Sequence, residues 1–162
     1  MTRSFLELLE YHVELEGLFR RHQESLLLWE IDEASKWLER YIEAGERHIR
    51  DEEQLLLPVF EERCGKIEGA SSEILRGEHK KIGIFLREFR KAMASMRGIG
   101  TNLSGPLISL LDREATFKNL VSHHYLREQN LFYPALDKAT TEAERTDLMG
   151  RIVISHASVT AA

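Results

Sequence analysis

Two segments of the chain repeat one pattern of chemically capable residues. His48 through Pro58 and His124 through Pro134 both read His-x3-Glu-x2-Leu-x2-Pro. On a helix, residues i and i+4 lie on one face, a turn apart. Each segment therefore turns an imidazole and a carboxylate toward one point. Two such helices face to face enclose a box of nitrogen and oxygen donors, the chemistry of a metal site. A lone His-x3-Glu pair carries little, because a chain with 7 His and many Glu produces one by accident. A third pair, His12/Glu16, has Phe19 at the Leu position and His22 at the Pro position. It reads as the accidental one, with His12 a partly buried helix residue paired with Glu16.

Helices must position these groups, and the apolar residues recur at helical spacing almost throughout. Phe5, Leu8, Leu9, His12, Leu15, Phe19, His22 and Leu26 form one stripe. Further stripes run from Ala34 to Leu55, from Ile74 to Met96 and from Leu107 to Phe132. Breaks fall at Glu30-Ile31-Asp32, from Cys64-Gly65 through Ser72, and from Gly98 through Pro106. Ser71 or Ser72 suits the cap of the third helix, and Pro106 the first turn of the fourth. The pattern predicts helices near residues 4–30, 33–63, 71–97 and 106–138, with a shorter one near 141–155. The fold reading is all-α, an antiparallel up-down four-helix bundle in a single domain over 1–162. Its core covers about 4–138, and a short helix and tail follow over 139–162. Trp29, Trp37, Phe85 and Phe89 are read as core. Leu57 and Tyr133 precede the prolines, which are expected to kink or end their helices.

The candidate ligands, drawn from all four helices, are His22, His48, Glu52, His79, His124 and Glu128. Antiparallel neighbours share a level when they are equidistant from the connecting turn. His79 and His124 meet that condition. On the first helix, level alone does not decide between His12 and His22. They stand ten residues apart, about 15 Å along a helix, so both cannot serve one centre. Six ligands exceed the need of a four-coordinate structural zinc. Imidazole and carboxylate without thiolate suit iron or manganese, with zinc compatible. The competing ferritin-like bundle uses Glu-x-x-His. The residues three before each His are Leu9, Phe19, Gly45, Arg76, Leu120, Val121 and Val153, none of them Glu.

Composition excludes several other classes. Hydrophobic content of 43% with 30% charged residues is a folded, water-facing profile and not a disordered one. A net charge of −5 without a dense basic block argues against nucleic acid. No apolar run spans a bilayer and no leader with a cleavage site is read, so no membrane association is expected. The single cysteine, Cys64, cannot form an internal disulfide and fits a cytoplasmic setting. No Gly-rich phosphate loop is present. Tyr125 and Tyr133 are read as packing residues beside the site, and His156 as exposed.

On these residues the chain resembles the hemerythrin-like (HHE cation-binding) family. The matching pieces are His22-Gln23-Glu24-Ser25-Leu26, His48 through Glu53 to Pro58, Glu78-His79-Lys80-Lys81-Ile82, and His124 through Pro134. The resemblance covers roughly residues 5–137 and settles the first-helix choice on His22, since the sequence around His12 does not match. It implies a non-haem di-iron centre with Glu52 and Glu128 bridging and four His as terminal ligands. Oxygen-carrying members resemble His-x3-His on the third helix, whereas Gly83 stands four residues after His79 here. That departure leaves a coordination position to water, to a small ligand or, less favoured, to His123. The expected function is binding or sensing of dioxygen or a related small oxidant, through an unknown protein partner. Alternatives are reaction with peroxide or nitric oxide, iron donation to damaged iron–sulfur clusters, or a metal-free helical interaction module.

Overall fold

The computed structural model describes the backbone of residues 3–160 and the side-chain environments of residues 3–152. The expected exposure of His156 falls outside the described side chains. The described chain is helical throughout, apart from short connections and one isolated bridge between Ile67 and Ala70. A single 3-10 turn, Phe5–Leu8, leads into α1 (Leu9–Leu27). The second segment comprises α2 (Ile31–Asp51), a π turn (Glu52–Leu56) and α3 (Leu57–Arg63). After the long α4 (Ser72–Ile99), the fourth segment repeats that plan: α5 (Ser104–Arg127), a π turn (Glu128–Phe132) and α6 (Tyr133–Ala139). A last helix, α7 (Glu142–Thr160), follows. No described helix is long and apolar enough to cross a membrane.

Helix α1 packs on α2 and α5, and α4 packs on the same two, so the four long segments touch in a closed ring. Arg97 near the end of α4 reaches Asp32 at the start of α2, and Arg90 reaches Glu39. Those pairs run in opposite chain directions.

The prolines neither end nor sharply break their helices. Pro58 has no N–H to offer the carbonyl of Gln54, and Pro134 has none for Asn130. The chain responds by widening one turn. Leu57 N–H donates to the Glu52 carbonyl five residues back, and Tyr133 N–H to that of Glu128. Each widened turn begins on the carboxylate of the repeated pattern, and such turns often mark functional positions. The extra residue shifts the apolar phase, burying Leu56 and Phe132 in place of Leu55 and Leu131.

Two of the connections have specific local causes. Helix α1 ends with Trp29 N–H on the Leu26 carbonyl and Glu30 N–H on that of Ser25. This is the Schellman arrangement, with Trp29 at φ +63° where glycine is usual. Trp29 is therefore not core; it sits at the end of the helix with 53% of its surface exposed. In the connection before α4, Ser71 caps the helix by accepting from Ile74 N–H. Gly69 adopts φ +82°, and a Cβ there would meet Leu131 Cδ1 at 3.0 Å. Its carbonyl accepts from the Arg127 guanidinium. Gly69→Ala is expected to lower stability by about 1–2 kcal/mol, the cost of the left-handed conformation, measured by urea unfolding.

Two apolar clusters fill the interior. One holds Leu15, Phe19, Leu38, Ile42, Phe89 and Phe117, among others. The other holds Phe5, Leu8, Leu56, Phe60, Phe132 and Met149 among its members. Along every long segment a buried polar residue falls between them. His12 lies between Leu8 and Leu15, His48 and Glu52 between Ile42 and Leu56, His79 between Leu75 and Ile82, and His124 and Glu128 between Val121 and Phe132.

Candidate metal centre

That polar layer is a single cluster of four imidazoles and two carboxylates. His48 and Glu52 come from the second segment and His124 and Glu128 from the fourth, each pair one turn apart as the repeated spacing requires. His12 comes from α1 and His79 from α4. All six are buried.

The donors divide into two lobes. In one, His12 Nε2 and His48 Nε2 stand 3.0 Å apart. In the other, the rings of His79 and His124 lie 4.8 Å apart, edge to face. Both carboxylates face both lobes, Glu128 closely and Glu52 at longer range. Glu128 turns Oε2 to His12 Nε2 at 3.1 Å and Oε1 to His124 Nε2 at 2.8 Å. Glu52 turns Oε1 toward His48 Nε2 at 3.7 Å and Oε2 toward His79 Nε2 at 3.4 Å. Two groups of donors are therefore close enough to hold an ion: Glu52, His79, His124 and Glu128, and His12, His48 and Glu128.

A test of fit lies in the hydrogen bonding. Buried polar atoms normally find partners, and leaving one without costs free energy. Here Glu52 Oε2, both Glu128 oxygens and His79 Nε2 are buried without a well-formed hydrogen bond. They converge on one another instead, which is the arrangement a cation would satisfy. Electrostatics agree. Burial works against the Glu128 carboxylate, but the imidazoles of His124 and His12 outweigh it and hold its pKa well below the usual range. Burial pulls His124 down, yet Glu128 and Glu78 carry it up to about 10.

The donors are themselves held. His79 Nδ1 donates to Glu53 Oε1 at 2.9 Å, and His124 Nδ1 to Glu78 Oε2 at 3.0 Å. Arg127 Nε braces Glu78 at 3.1 Å while reaching the Gly69 carbonyl. The Tyr133 hydroxyl donates to Glu52 Oε1 at 2.5 Å. Tyr125 stacks on His12 with ring centroids 3.8 Å apart. Burial, first, raises both phenol pKa values, reinforced by Tyr41 and then Glu128 at Tyr125 and by Glu128 and Glu52 at Tyr133, so both stay protonated. From sequence alone these tyrosines read as packing residues, whereas Glu53 and Glu78 each adjoin a candidate ligand in the chain and are legible from that position.

His22 stands elsewhere. Its Nδ1 donates to the Ala34 carbonyl at 2.8 Å, and its Nε2 meets Glu114 Oε1 at 2.7 Å, both side chains fully buried. Gln23 holds the other Glu114 oxygen. The physical reason is the position of the turn. It centres on Trp29, ahead of the expected break at Glu30-Ile31-Asp32, because the Schellman end stops α1 at Leu27. His12 is then 29 − 12 = 17 residues before the turn and His48 is 48 − 29 = 19 after it. His22 is only 29 − 22 = 7 before it. His12 meets the cluster and not Glu16. His123 is exposed on the outer face of α5. A Cβ on Gly83 would meet only Arg87 Nη1, at 3.4 Å.

Space adjoins the cluster on another side. A cavity of about 20 Å³ is lined by His48 and His124, one from each lobe, with Gly45, Leu15, Ile82, Leu86 and Val121. Tyr41 and Tyr125 also line it, and with Val121 they line a larger open groove between α1 and α5, of about 570 Å³.

Fold and site together define an all-helical protein with a buried His/Glu cluster suited to a metal cation. Residues 3–136 match the family model of the hemerythrin HHE cation-binding domain, and the chain belongs to that family. Searches of curated proteins and of solved structures each returned no match.

Proposed function

We propose that the chain is a single up-down antiparallel four-helix bundle that holds two iron ions and binds or senses dioxygen or a related small oxidant. His12 and His48 would hold one ion and His79 and His124 the other, with Glu52 and Glu128 spanning both. The observation that carries this reading is the division of the carboxylates, each with one oxygen toward each imidazole pair. Donors of this kind without thiolate favour iron or manganese, with zinc compatible. Bound ferrous ions would supply the electrons that a small oxidant requires.

The chain's own residues do the remainder. Leu15, Ile82, Leu86 and Val121 make an apolar wall with room for about one water-sized molecule beside His48 and His124. Tyr41 and Tyr125 line both that cavity and the α1/α5 groove, which would be the route from solvent. The Tyr133 hydroxyl keeps a proton on the edge of Glu52. Reaction with peroxide or nitric oxide, or donation of iron, would use the same cluster and differ in turnover or metal release.

Elemental analysis of protein from iron-supplemented cells, with its visible spectrum, tests the reading. About two irons per chain are expected. A cation that binds only the folded state, present at 100 times its Kd, stabilises by about 2.7 kcal/mol. For a chain of this size that is a rise in Tm of roughly 5–10 °C. Absence of metal with an unchanged Tm would instead favour a metal-free helical interaction module.

A further inference from the structure

The two lobes are not equivalent. In the His79/His124 lobe both imidazoles donate their outer N–H to a carboxylate, Glu53 and Glu78. A carboxylate accepts only, so each Nδ1 carries a proton, and each Nε2 is the nitrogen left to ligate a cation that displaces its proton. Such partners fix ring orientation and strengthen the nitrogen as a ligand. Arg127 in turn holds Glu78 in place.

The His12/His48 lobe is arranged differently. His12 Nδ1 is buried and makes no hydrogen bond. Its ring is held by stacking on Tyr125 instead. The inner nitrogens of His12 and His48 close on each other at 3.0 Å. The Glu52 oxygen that faces this lobe, Oε1, already accepts from the Tyr133 hydroxyl at 2.5 Å. The same hydroxyl lies 3.5 Å from His12 Nε2. A cation entering here must part the two imidazoles and compete with the phenol. The repeat itself explains the difference: Tyr125 and Tyr133 occupy the places of Ile49 and Leu57, so both phenols fall beside His12.

We infer that the centre loads in order. A first divalent cation takes the prearranged His79/His124 lobe tightly, and a second takes the His12/His48 lobe more weakly and exchangeably. Glu53 and Glu78 are positioning residues for the first cation. Tyr133 limits the affinity for the second. This inference rests on the two-metal reading above.

Titration of the metal-free full chain with Co²⁺, followed by calorimetry and by the visible bands of the bound ion, tests it. Wild type is expected to bind two Co²⁺ in separated steps, with Kd values at least tenfold apart. H12A should lose the weaker step and keep the tight one. Y133F should tighten the weaker step and leave the tight one unchanged. E78Q should weaken the tight step about 10–100-fold, with circular dichroism confirming that the helices remain. Two steps of equal affinity, loss of the tight step in H12A, or no change in Y133F would overturn the ordering while leaving the two-metal reading intact. Fewer than two Co²⁺ on wild type would overturn that reading, and the ordering with it.

Discussion

Glu128→Gln is expected to abolish loading of the metal pair, while His22→Ala leaves it at two per chain. Glu128 reaches both lobes at about hydrogen-bond distance, through Oε2 to His12 and Oε1 to His124. Its removal takes one donor from each lobe at once, whereas loss of any one imidazole weakens one lobe. Glutamine keeps the shape and the volume, so a collapsed core cannot account for the loss. The amide has no charge to offset that of a cation, and its NH₂ group cannot act as a ligand. The fall in affinity should exceed the roughly 10–100-fold that loss of an outer partner costs. His22 lies in a separate pair with Glu114 and touches no member of the cluster. Metal content by elemental analysis, normalised to folded protein, decides the matter. Full two-metal loading of Glu128→Gln, or an empty His22→Ala that is still folded, would remove the proposed site.

The helices were legible because burial follows a 3.6-residue period and the second and third breaks carry Gly, Ser or Pro. Ser71 capping and the helix from Glu142 fall where composition placed them. The repeated His-x3-Glu segments were legible for the same reason, since spacing on one helix fixes direction. Pairing between helices was not legible to that precision. His12 and His22 share an apolar stripe, and choosing between them required the turn to be placed within about three residues. The turn falls earlier than the sequence indicates because Trp29 gives no sign of a left-handed helix end; glycine would have. The same residue explains why an apolar run, Leu27-Leu28-Trp29, proved to be exposed and not core. The π turns were half legible. Two prolines at matching positions announced a perturbation, but whether a helix kinks, ends or widens depends on what neighbouring segments cover. Tyr133 could not be told from its counterpart Leu57 without knowing that its hydroxyl meets Glu52 across the interior.

The buried pair that His22 makes should matter for stability and not for metal. Glu114→Ala is expected to destabilise the fold by about 3–5 kcal/mol, the range for breaking a buried pair by removing one partner. In a chain of this length that lowers Tm by roughly 10 °C. His22 and Glu114 are both without exposed side-chain surface, and the pair joins α1 to α5 while His22 Nδ1 reaches Ala34 at the head of α2. Removing the carboxylate leaves His22 Nε2 facing a cavity and frees Gln23, which it also holds. Most of the cost is this stranded polar group and not the worth of the pair itself. A buried pair replaced on both sides by apolar residues of similar size is often neutral or stabilising. His22→Leu with Glu114→Leu should therefore recover most of the lost stability and retain full metal loading. Thermal unfolding of the metal-free forms measures the first effect, and elemental analysis the second. A double variant as unstable as Glu114→Ala would show that the pair supplies something packing cannot, such as the fixed entry of the chain into α2. A drop in metal content at full folding would mean that the two polar layers, one on each side of the Phe19/Phe117 contact, are coupled through the core between them.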